Sequence, residues 1–279
     1  MIRIDAHQHF WQVDAPWLRW PGPDLPAIRR TFLPEDLEGD LRDARIDGTV
    51  LVQSQPRLED TDWLLRLANA APRVLAVVGW VDMLDEGAPA TIARLAADPL
   101  VKGLRPMLQD LPPSWILQAQ AAPALDAMER HGLVLDALIR PAHLFAITAL
   151  ADERPDLSIA IDHAAKPGIA SGDIRGWAGD IALLAERRNV WCKLSGLVTE
   201  AAEECSPSDI APYVDVVLTA FGADRVLWGS DWPVVLLRTG YASWLATARA
   251  LVPAPDHAAV FGGTAAKLYR IEQPGRSDP

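Results

Sequence analysis

Ile2-Arg3-Ile4-Asp5-Ala6-His7-Gln8-His9-Phe10-Trp11 is a short apolar run that turns polar at its C-terminal end and enters a turn with no glycine. An open dinucleotide-binding sheet needs glycines in that turn, so that backbone amides can approach a pyrophosphate. The turn His7-Gln8-His9-Phe10-Trp11 cannot serve that purpose. Seven further runs of the same kind follow, at 49–54, 74–81, 101–107, 133–138, 157–163, 190–194 and 225–229. Each is rich in Val, Ile and Leu along its length, as strands covered on both faces must be. Between them lie Ala- and Leu-rich segments of helical spacing, at 60–70, 88–97, 121–130, 143–153, 174–187 and 208–221. Strands alternating with helices imply a parallel sheet, and eight such units imply a closed (β/α)8 TIM barrel.

The polar residues follow the same rule. The runs end in His7 and His9, Gln53 and Gln55, Asp82, Arg105, Asp136 and Arg140, Asp162 and His163, Lys193 and Ser195, and Asp231. In a barrel all these ends open onto one face, where active sites are built. One α/β barrel is expected over residues 1–271, with 272–279 as a frayed tail. The first connection, 10–48, is about 40 residues long, carries Trp11, Trp17, Trp20 and a helix expected at 34–44, and is of the length usually reserved for function.

Composition narrows the function classes. The chain has 37 acidic against 26 basic residues over 279, a formal charge of −11, and no basic cluster. Such a surface repels nucleic acid and anionic membranes. Met1-Ile2-Arg3-Ile4-Asp5 lacks the unbroken apolar run of a signal peptide, and no later stretch reaches the length of a membrane span, so a cytoplasmic protein is expected. Cys192 and Cys205 are expected to be reduced thiols. Alanine-rich helices are compatible with a homo-oligomer.

Side chains at i and i+2 of a strand share a face, so His7 and His9 aim at one point, as two imidazole ligands of one divalent cation must. His163, after the sixth strand, adds an imidazole and Asp231, after the eighth, a carboxylate. Arg105 and Lys193 are cations at strand ends. Gln53 and Gln55 offer amides suited to sugar hydroxyls. Among eleven tryptophans, Trp11 and Trp232 adjoin the proposed site and are expected to stack on a sugar ring, whereas Trp63 and Trp244 fall in helical stretches. His131, His143 and His257 lie at helix ends and are read as structural. Gly262-Gly263-Thr264 lacks the lysine of a phosphate loop.

His-x-His on the first strand, a histidine after the sixth and an aspartate after the eighth resemble the amidohydrolase superfamily. The phrases Ile4-Asp5-Ala6-His7-Gln8-His9-Phe10-Trp11, Asp162-His163-Ala164-Ala165-Lys166-Pro167, Cys192-Lys193-Leu194-Ser195-Gly196-Leu197-Val198-Thr199-Glu200 and Gly229-Ser230-Asp231-Trp232-Pro233-Val234 are similar to its sugar-lactonase branch, which includes L-fuconolactone and L-rhamnonolactone hydrolases. The resemblance implies a (β/α)8 barrel that opens a lactone. Asp231 would be general base, His163 would polarise the carbonyl or donate to the oxyanion, and Arg105 and Lys193 would stabilise charge or hold hydroxyls. His7, His9 and Asp231 would be the metal ligands. Asp162 and Lys166 would support His163.

The sequence departs from the binuclear members of that superfamily. Those carry a bridging lysine at the end of the fourth strand and a histidine at the end of the fifth. Here Lys102 precedes Arg105 by three residues and His143 falls beyond Pro141. The expectation is one divalent ion, zinc by its nitrogen-rich ligand set, or none. A second reading keeps the barrel but makes it a decarboxylase or hydrolase of a carboxylated aromatic or dicarboxylate lactone, gripped by Arg57, Arg105, Arg140 and Lys193. A barrel that only binds carbohydrate would have no need of a general base.

Overall fold

The computed structural model describes residues 2–272. Eight strands, β1 (Ile4–Gln8), β2 (Gly48–Val52), β3 (Val74–Gly79), β4 (Val101–Leu104), β5 (Val134–Ala137), β6 (Ile159–Ile161), β7 (Val190–Leu194) and β8 (Val226–Trp228), form one parallel sheet in chain order. Helices α1 (Pro34–Ala44), α2 (Leu58–Ala70), α3 (Ala88–Ala96), α4 (Ala122–His131), α5 (Leu144–Glu153), α6 (Arg175–Ala185), α7 (Leu197–Glu200), α8 (Pro207–Phe221), α9 (Tyr241–Leu251) and α10 (Thr264–Leu268) lie between and after them. The barrel closes where Asp231 N donates to His7 O at 2.8 Å and His9 N to Trp232 O at 2.7 Å.

Alternation along the strands sorts two cores. Ile4, Ala6, Val50, Val52, Ala76, Val78, Val134, Ala160 and Leu227 point inward, and Ala265, Leu268, Tyr269 and Ile271 of the C-terminal segment plug the lower end beneath them. Leu51, Val77, Leu104, Leu135 and Ile161 point outward against the helices. The plug explains the paired glycines at 262 and 263: a Cβ on Gly262 would collide with the backbone of Ile2. The motif is a close approach of backbones, as expected of a structural turn.

Strands expected to reach 107 and 163 end at Leu104 and Ile161. The polar residues that follow them lie on turns beyond the sheet, which lets their side chains converge over its rim. From residue 273 on, the expected tail lies outside the described residues. Cys192 and Cys205 are free thiols. Among the described residues no helix is long and apolar enough to cross a membrane.

Candidate active site

His7 and His9 stand at the upper end of β1, with side chains buried. His9 Nδ1 lies 2.8 Å from Val52 O, a bond that places its proton there and leaves Nε2 as a bare acceptor. His7 presents Nδ1 to Asp162 Oδ1 at 3.4 Å and turns its own Nε2 inward. The two Nε2 atoms are 3.2 Å apart, and Asp231 Oδ1 is 3.2 Å from that of His9 and 3.7 Å from that of His7. Three lone pairs therefore face one another. Ligands on a tetrahedral zinc stand about 3.3 Å apart at the usual bond lengths, so the spacing and the donor chemistry fit one divalent ion. His9 has the outward hydrogen bond to a carbonyl that such ligands ordinarily have, and His7 faces a carboxylate on its outward side.

Asp231 reaches this point from a strained backbone. Its φ is 58°, and the turn is clamped by Ser230 N donating to Asp5 Oδ1 at 2.8 Å beneath it. Burial would raise the Asp231 pKa, but the imidazoles of His163, His9 and His7 around it hold it well below the usual carboxylate range. Oδ1 faces both imidazoles, and no described residue donates a hydrogen bond to Oδ2.

His163 opens a run of four residues, His163 to Lys166, with φ between 49° and 61°. Such residues cost about 1–3 kcal/mol each and persist where surrounding structure enforces them. Here Gly196 makes room: a Cβ at that position would lie 2.6 Å from His163 Nδ1. The Ser195 hydroxyl is 2.9 Å from the same nitrogen. Burial pushes the His163 pKa down to about 4, so the ring is neutral at physiological pH. With the serine donating to Nδ1, the proton sits on Nε2.

Arg105 follows β4 and is held from two sides. Nη1 lies 3.4 Å from Asp162 Oδ2, and Nη2 donates to Gln53 O. Lys193 on β7 is fully buried, bonded to Asp136 and 3.0 Å from Asp162 Oδ1. Tyr269 of the lower plug places its hydroxyl 2.9 Å from Asp136 Oδ1.

Above these residues opens a cavity of about 510 Å³. His9, Arg105, His163 and Asp231 form part of its lining; Trp20, Trp80, Met83, Met107, Trp115 and Leu138 supply apolar wall. Several expected residues stand elsewhere. Lys193 does not line the cavity and cannot hold a substrate hydroxyl directly. Gln53 is fully buried, its amide donating to Arg105 O at 2.8 Å. Gln55 touches the cavity, yet its amide is engaged with the first connection, accepting from Arg19 N at 2.8 Å and donating to Trp20 O at 2.7 Å.

Trp11 and Trp232, expected as stacking platforms, are core residues packed on Phe32, and Trp11 Nε1 donates to Arg30 O. Proximity in sequence misled here, because both rings are spent on packing against Phe32, although the Trp11 ring lies only 6.5 Å from that of His9. The exposed tryptophan of the first connection, Trp20, and two on later loops, Trp80 and Trp115, line the cavity instead. Asp60, also unforeseen, shapes the rim: its Oδ2 accepts from Ser54 N at 3.1 Å and Gln55 N at 3.2 Å. An acidic residue in the first turn of a predicted helix was the available signal. His143 and His257 bond backbone carbonyls, as structural histidines do.

A (β/α)8 barrel with paired imidazoles after its first strand and a carboxylate after its last is an enzyme scaffold with a ligand set that could hold a divalent ion. The chain belongs to the amidohydrolase family, whose model matches residues 4–271. It is 49% identical to an L-fucono-1,5-lactonase of Burkholderia ambifaria, over 98% of this chain and 97% of that one. An L-fucono-1,5-lactonase of Burkholderia multivorans is 33% identical over the same shares of the two chains. Among solved structures, a zinc-bound amidohydrolase from Burkholderia multivorans superposes with a TM-score of 0.91 at 31% identity, covering 98% of this chain and all of that one.

Proposed function

We propose that the protein hydrolyses a sugar-derived lactone to its open-chain aldonate, with a 6-deoxy-L-aldonolactone such as L-fuconolactone or L-rhamnonolactone as substrate and Asp231 as general base. The observation that carries the reading is the Asp231 carboxylate. It is ionised, clamped by Oδ1 between imidazoles, and has Oδ2 free at a cavity of a size suited to a small molecule. The two lactonase relatives supply the substrate class.

A lactone is an activated ester, so the residues have three tasks. Asp231 Oδ2 takes a proton from the attacking water as its oxygen adds to the lactone carbonyl. The neutral His163, with its proton on Nε2, and the Arg105 guanidinium face the charge that develops on the carbonyl oxygen. When the intermediate collapses, the ring C–O bond breaks and the proton held by Asp231 passes to the departing alkoxide. His7, His9 and Asp231 would hold the divalent ion, zinc by preference of two imidazoles and a carboxylate, and it would supply Lewis acidity beside the carbonyl. The apolar wall of Trp80, Met83, Met107 and Trp115 offers a methyl-bearing sugar edge a surface that water leaves readily. Of the four cations expected to grip a carboxylated aromatic, Arg105 alone lines the cavity, with Arg57 and Arg140 outside the lining and Lys193 beneath it, while Arg19 and Lys166 also stand in the wall.

The test is proton release from a panel of L- and D-aldonolactones, with amides, phosphate esters and carboxylated aromatics alongside. Fastest turnover of a 6-deoxy-L-lactone is expected. Turnover of a carboxylated aromatic with none of the lactones would replace this reading.

A further inference from the structure

Two groups of side chains in the barrel have the ligand types and closeness to hold a cation: His7 with His9 and Asp231, and His7 with Asp162 and His163. The first is open in the sense argued above, with three acceptor atoms facing one another and the Arg105 guanidinium at its edge, Nη1 3.5 Å from His7 Nε2. The second is different. The Lys193 ammonium stands 3.0 Å from Asp162 Oδ1 and 3.2 Å from His7 Nδ1, and bonds to Asp136 on its far side. Every one of these side chains is fully buried.

We propose that Lys193 is a built-in cation that fills the second ligand cluster, so that this barrel takes a single divalent ion, at His7, His9 and Asp231. The inference rests on the reading of that first cluster as a metal site and is independent of the substrate.

The charge distribution supports it. An ammonium buried without counter-charge is untenable, and Lys193 has two carboxylates, Asp136 and Asp162, placed on either side of it. Asp162 also faces the Arg105 guanidinium, so two cations meet two anions beneath the open cluster. Tyr269 completes the arrangement from the plug, its hydroxyl directed at Asp136. Asp136 is thereby held on Lys193 and away from the cavity. A second divalent ion would have to displace the ammonium from a fully buried place between two carboxylates. Lys193 is thus a positioning residue. It leaves Asp162 oriented to accept from His7 Nδ1, and the His7 Nε2 lone pair directed at the open cluster.

The experiment reads metal content without substrate, so failure of the lactonase reading would leave it intact. Chelator-stripped wild type and Lys193→Ala protein are titrated with zinc, counted by mass spectrometry and located by anomalous diffraction. Wild type is expected to hold one zinc per chain, at His7, His9 and Asp231. Lys193→Ala, which leaves Asp136, Asp162 and His7 around an ammonium-sized space, is expected to hold two. Lys193→Arg, which restores the charge, should return the count to one. Lys193→Ser carries the same expectation as alanine should the alanine variant fail to fold. Two zinc ions in the wild type, or one zinc in a neutral variant with an unchanged melting curve, would overturn the proposal.

Discussion

The rim of the barrel and the layer directly beneath it are built from the same kinds of side chain and behave oppositely. At the rim, His7 Nε2, His9 Nε2 and Asp231 Oδ1 are crowded acceptors, and Asp231 Oδ2 has no donor among the described residues. One layer down, Asp136 bonds Lys193 and Tyr269, and Asp162 lies against Lys193, Arg105 and His7. Acceptors crowded together without an opposing charge are costly in a buried place and are tolerated where chemistry needs them. The lower layer provides a fixed electrostatic floor; the rim provides reactivity.

The contrast is broken most severely at Asp231. Asp231→Asn is expected to reduce kcat on the lactone by roughly 10²-fold or more, the usual consequence of losing a general base. Near-full activity would move the proton acceptor elsewhere, with His163 next in line. Removal of the ion by chelation, and His7→Ala or His9→Ala, are expected to lose less than Asp231→Asn, because a lactone is already reactive. Equal losses in all four, at matched folding, would make the ion indispensable.

In the lower layer the effect should fall on stability. Tyr269→Phe removes one hydroxyl from a charged, buried acceptor and is expected to destabilise by about 1.5–3 kcal/mol in urea unfolding, with a smaller loss of kcat than Asp231→Asn. A large kcat loss without destabilisation would erase the distinction between the layers.

The smallest effect concerns the rim loop. Burial pushes the Asp60 pKa up from 3.8 to about 6, against the hydrogen bonds from Ser54 and Gln55. Between those values the folded state binds more protons than the unfolded chain. The cost of the ionised group is therefore fully present above pH 6 and fades as the pH falls toward 4. Asp60→Asn should remove that slope, a difference of about 1–3 kcal/mol between pH 7.5 and 4 when the variant is compared with wild type. Parallel pH profiles for the two proteins would refute it.

Strand and helix positions were legible because both leave periodic apolar patterns. The 190–194 strand and the 34–44 helix coincide with β7 and α1, and the others err by a few residues at their ends. The polar strand ends identified the residues at the rim, since the strand direction carries His7, His9, Arg105, His163 and Asp231 to one face. Depth was not legible. Whether Lys193 faces the cavity or the floor depends on which partner claims it, and Tyr269 comes from a C-terminal segment whose local pattern says nothing of the barrel interior. The tryptophans failed for a related reason: indole is equally at home in a core and on a cavity wall, and only the fold decides between Trp11 and Trp115.

The seam of the barrel has a kinetic consequence. The bonds that join β1 to the segment after β8 run from Asp231 N to His7 O and from His9 N to Trp232 O, more than two hundred residues apart in the chain. Contacts of such separation form late, because the intervening chain must first be ordered. The same residues are the proposed ligands and base, so a barrel that has gained its helices but not its closing seam is expected to have no partial activity. During refolding, catalysis should return with the final slow phase, well after most helical signal is in place.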